Sequence, residues 1–67
     1  MINANDNYYR TVRFELSLQA AKMGKDISKR NINHMVNMIV ELRSAVANRG
    51  TLITVGESVN MYLKRYL

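Results

Sequence analysis

The chain has no cysteine, no proline and no tryptophan among its 67 residues, and only three glycines and one phenylalanine. Without cysteine there is neither a disulfide nor a thiolate metal site to stabilise so short a chain. His34 is the single histidine, so a histidine-rich metal centre is excluded as well. Gly24, Gly50 and Gly56 stand apart, and none belongs to a loop of the kind that cradles phosphate. No apolar run approaches the ~20 residues needed to cross a bilayer. The first ten residues, MINANDNYYR, lack the basic-then-apolar order of a signal peptide. A cytoplasmic protein is therefore the expectation.

Acidic residues are also scarce. Ten lysines and arginines face five aspartates and glutamates, for a net charge of +5 at pH 7. That balance favours nucleic acid, an acidic protein surface or an anionic membrane over a basic partner. The apolar share of 48% suits a globular chain rather than a disordered one. One domain, residues 1–67, is expected, near the lower size limit for independent folding. Docking on a partner, or dimerisation, would add stability.

The chain is organised around Ser28–Arg49. Ile32, Met35, Val36, Ile39, Leu42 and Val46 recur three or four residues apart, which places them on one face of a helix. Ser28 is a candidate cap at its start, and Gly50 suits the left-handed residue that ends it. Arg43 falls inside the apolar stripe, and a buried arginine needs a partner. Glu57 is the expected one; the alternative is an Arg43 head that snorkels to the rim.

Residues 1–5 read as a short polar start. Asp6 or Asn5 then caps a first helix, about 6–23, closed by Gly24. Tyr9, Val12, Leu16, Ala20 and Met23 form one stripe, while Phe14, Leu18 and Ala21 form another on the opposite side. A helix apolar on two sides needs two partners. Residues 11–18 also alternate polar with apolar, which is the signature of a half-buried strand. A strand with a polar outer face followed by two helices, a β-α-α arrangement, is how the ribbon–helix–helix DNA-binding dimers begin. Against it, only Gln19–Met23 separate Leu18 from Gly24, where that family has a helix of about three turns.

Thr54 and Glu57 have capping-box spacing and open a third helix, about 54–67. Val55, Val59, Tyr62, Leu63 and Tyr66 line one of its faces. The expected fold is all-α: a small three-helix domain, an up-down-up bundle, with the ribbon–helix–helix-like form as the lesser alternative.

The scattered acids and lone histidine offer no catalytic set, and neither an enzyme nor a cofactor is expected. The expected function is a small interaction protein that modulates or inhibits a larger partner; the alternative is a DNA-binding regulator. Two surfaces are candidates. In an up-down-up bundle one pole collects Lys22, Lys25, Lys29, Arg30, Lys64 and Arg65. Lys29 and Arg30 would sit in the first helical turn, where a cation costs about 0.3–1 kcal/mol, so an acidic partner is their expected counterpart. The second surface is apolar: Phe14, Leu18 and Met61, with a homodimer through the first helix as one use of it.

Overall fold

The computed structural model describes residues 4–67, with side-chain surroundings from Asp6 onward. Three helices follow in order: α1 Ala4–Lys22, α2 Ile32–Asn48 and α3 Val55–Tyr66. Among the described residues there is no strand, so the β-α-α alternative falls. In a helix, Val12 and Leu16 point one way and Phe14 and Leu18 the other. Val12 and Leu16 are buried while Phe14 and Leu18 are exposed, so the alternation of residues 11–18 marks two helix faces.

α1 starts earlier than expected, which puts Asp6 in its first turn rather than at its cap. The reading of residues 1–3 as part of a polar start lies outside the described residues. Gly24 ends α1 with a φ of 68°. The Lys25 N–H donates to the Ala20 carbonyl at 2.8 Å and the Gly24 N–H to the Ala21 carbonyl at 3.2 Å, so two otherwise orphaned carbonyls are satisfied. Gly50, with a φ of 90°, closes α2 by the same two bonds, to Val46 and Ala47.

Ser28 does not cap α2. Asp26 captures it instead: the Asp26 Oδ1 accepts from the Ser28 N–H at 2.9 Å and from its hydroxyl at 2.7 Å. The chain then turns, with the Arg30 N–H bonded to the Ile27 carbonyl. Asn31 is the cap, and its side chain accepts from the His34 N–H at 3.1 Å. Both residues are acceptable caps by chemistry; the Asp26 turn decides between them. Lys29 and Arg30 therefore precede the helix rather than sitting in its first turn, the position for which the dipole cost is expected. At α3 the capping box forms as the spacing predicts. The Glu57 N–H bonds the Thr54 hydroxyl at 3.0 Å, and the Thr54 N–H bonds Glu57 Oε1 at 3.2 Å.

The core holds Val12, Leu16 and Ala20 from α1, Met35, Val36 and Ile39 from α2, and Val59, Tyr62 and Leu63 from α3. Ser58 is also fully buried; its hydroxyl donates to the Val55 carbonyl at 2.7 Å, which satisfies a group that burial would otherwise penalise. Along the α1–α3 seam, Gln19 meets Gly56 and Asn60, and farther on Lys25 meets Leu67. α1 and α3 thus run in the same sense. α2 runs back against both: Tyr8, early in α1, meets Arg43, late in α2, while Arg13, later in α1, reaches Asn33, early in α2. The result is up-down-up.

Two aromatic assignments change. Tyr9 and Tyr66 are exposed rather than core, and Tyr8 is half-buried in the place foreseen for Tyr9. The Arg43–Glu57 pair is absent because Glu57 is held by its own cap. Arg43 instead donates from Nε to the Ile53 carbonyl at 2.9 Å, with its guanidinium 5.4 Å from the Tyr8 ring centroid.

Candidate partner-binding surfaces

The expected basic pole lies at one end of the bundle. Lys22 ends α1 and Lys64 and Arg65 end α3, where the negative ends of the two helix dipoles favour cations. The contact that ties the two ends together is Lys25 Nζ donating to the Leu67 carbonyl at 2.7 Å. Lys25 is half-buried and engaged in that bond; Lys22, Lys29, Arg30, Lys64 and Arg65 are exposed. Asp26, the acid of this pole, is taken up by Ser28. The Ser28 hydroxyl and backbone N–H hold its carboxyl below the ordinary range. Arg65 also lies 5.8 Å over the Tyr66 ring, so it joins an aromatic to the cationic end.

The apolar candidates are exposed as well. Phe14 is 66% accessible, Leu18 38% and Met61 42%. Phe14, Leu18 and Ala21 follow one another along the outer face of α1, at intervals of four and three residues. Gln19, next to Leu18, turns inward to the α1–α3 seam, where Glu15 and Asn60 bond to it. Met61 rims the cleft of that seam with Glu57 and Asn60. Gln19 borders the same cleft from α1.

Two features escape the linear sequence. One is a groove between α1 and α2, about 480 Å³ in volume, bordered by Asp6, Tyr9, Arg10, Arg13, Asn33 and Asn37 over a floor of Val36. Its volume is that of a small-molecule pocket. Every bordering residue except Val36 is exposed, however, so it is a surface groove rather than an enclosed site. Arg13 spans it and donates to the Asn33 side-chain oxygen. No spacing rule marks such a groove, because two helices supply it. The other is Leu52, 89% exposed in the α2–α3 connection, beside the Arg43–Tyr8 contact.

His34 is exposed at the start of α2. Among the described residues, no group of three or more histidines, cysteines and carboxylates converges as a metal site, and no helix is long and apolar enough to cross a membrane. Comparison of the chain with protein families, with curated proteins and with solved structures returned no match.

Proposed function

We propose that this chain is a non-catalytic helical interaction protein that docks on a larger protein and modulates or inhibits it. The observation that carries the reading is the exposure of Phe14 and Leu18 on a helix whose opposite face already supplies Val12, Leu16 and Ala20 to the core. The fold closes without them. Among the described residues this ring, left two-thirds in water, has no intramolecular use, and apolar surface of that kind supports an interaction site. The grooves are open, and the acids are dispersed over separate elements, which suits binding better than catalysis.

A second reading, nucleic-acid binding, draws on the net charge of +5 and on the cations gathered at the ends of α1 and α3. Arg65 beside Tyr66 is a pairing that suits single strands, where aromatics stack and cations meet phosphate. The partner class separates the two. Immobilised native chain and a Phe14→Ser/Leu18→Ser variant are compared for what they retain from host extract, before and after nuclease. Protein retained only by the native chain, and retained after nuclease, supports the first reading. Nuclease-sensitive material retained equally by both supports the second.

A further inference from the structure

We propose that the outer face of α1 takes an amphipathic helix of another protein whose apolar stripe is bracketed by acidic residues at both ends. This rests on the protein-binding reading above and names its partner chemistry. Arg10, Phe14, Leu18 and Lys22 are successive members of one i, i+4 row, so their side chains form a single ridge along the helix. All four are exposed. The ridge reads cation, apolar, apolar, cation over ~18 Å at 1.5 Å per residue. Glu15, the one carboxylate near its middle, is turned off it. Gln19 donates to Glu15 Oε2 at 3.2 Å, and that oxygen faces Gly56 of α3. Arg13 is likewise turned away, to Asn33 of α2. The apolar pair is therefore flanked by a cation on each side, with Asp6 one turn beyond Arg10 on the same row.

That pattern argues against a second copy of the chain as occupant. Antiparallel pairing about a dyad between Phe14 and Leu18 sets Arg10 against Lys22 at both ends. Parallel pairing sets Arg10 on Arg10 and Lys22 on Lys22. Like charges face each other either way, and such juxtaposition selects against a partner. Nor does the rest of the chain offer the complement. Glu57 is held in its cap, Asp26 in its turn and Glu15 by Gln19. Asp6 and Glu41 remain, on different helices. A foreign helix carrying acids about twelve residues apart, with apolar residues between them, meets both cations and both apolar side chains at once.

Two fluorescein-labelled synthetic helical peptides test this. They share the frame X-x-x-x-Leu-x-x-x-Leu-x-x-x-X and differ only in X, glutamate in one and lysine in the other. Binding to the full chain is followed by fluorescence anisotropy at low salt. The glutamate peptide is expected to bind at least about tenfold more tightly, a preference of the size that rim charges confer and salt erodes. The Arg10→Glu/Lys22→Glu variant, checked by circular dichroism for an unchanged fold, should reverse the order. Phe14→Ser/Leu18→Ser should lose both peptides. Equal affinities that vanish in the serine variant would overturn the acidic-bracket proposal and leave the protein-binding reading standing. Binding of neither peptide at millimolar concentration would overturn the proposal and count against the reading too. A dimer of the free chain abolished by the serine variant would overturn it in favour of a second copy.

Discussion

Arg43 covers the ring of Tyr8 at 5.4 Å while its Nε donates to the Ile53 carbonyl at 2.9 Å, so one side chain of α2 ties the start of α1 to the connection before α3. A half-buried guanidinium needs such partners, and a carbonyl with an aromatic face supplies them without a carboxylate. Arg43→Met keeps the stem and removes both contacts. It should cost about 1–3 kcal/mol, read as a shift of the urea midpoint. A cycle with Tyr8→Leu should return a coupling of about 0.5–1 kcal/mol. Zero coupling would mean that the ring contributes nothing to holding the arginine.

The caps give a sharper contrast. Asn31→Ala should destabilise by about 1 kcal/mol, as should Thr54→Ala, because each removes the acceptor for a free N–H of a first turn. In a domain of this size that is about 4–8 °C in melting temperature. Ser28→Ala should stay within about 0.5 kcal/mol, since Ser28 lies outside the helix. A larger loss at Ser28 than at Asn31 would restore Ser28 as the cap.

The glycines divide in the same way. Gly24 and Gly50 hold left-handed backbone, and alanine at either should cost about 1 kcal/mol. Gly56 lies inside α3, and a Cβ there would meet its nearest neighbour, Gln19 Nε2, at 3.5 Å, an ordinary contact. Gly56→Ala, in the first turn of α3, should therefore stabilise the fold by less than the ~1 kcal/mol of an interior helix position, and so raise the melting temperature. A lowered melting temperature would show that the Gln19 bond to the Gly56 carbonyl needs the closer approach.

Most of the fold could be read in the sequence because helix signals are local. The period of Ile32–Val46, the glycines at 24 and 50 and the Thr54–Glu57 spacing each act within a turn or two. Sequence and structure differ where two local signals compete or where the partner is distant. Ser28 and Asn31 are both good caps, and only Asp26 decides between them. Glu57 could not both cap α3 and pair with Arg43. The second apolar face of α1 was legible from Phe14 and Leu18. The groove of Arg10, Arg13, Asn33 and Asn37 was not, because it exists only once α1 and α2 lie together.

Asp26 sets a pH dependence. Its carboxyl is held below the ordinary range, first by the Ser28 hydroxyl and then by the Ser28 N–H. A depressed folded-state pKa stabilises fully above the unfolded value of about 3.9, and that contribution is lost as pH falls through the folded value. Stability should therefore decline on acidification below about pH 4, and the decline should be shallower in Asp26→Asn. Identical acid limbs for the two chains would remove Asp26 from the account.

The outer face of α1 is the proposed docking site for a larger protein. Photocrosslinking with benzoylphenylalanine at position 14, and at the exposed Glu41 position on α2 as control, tests it most directly in the host cell. One protein adduct, heavier than twice the chain, is expected from position 14 and none from position 41. No adduct at position 14, an adduct common to both positions, or one that nuclease removes would contradict it.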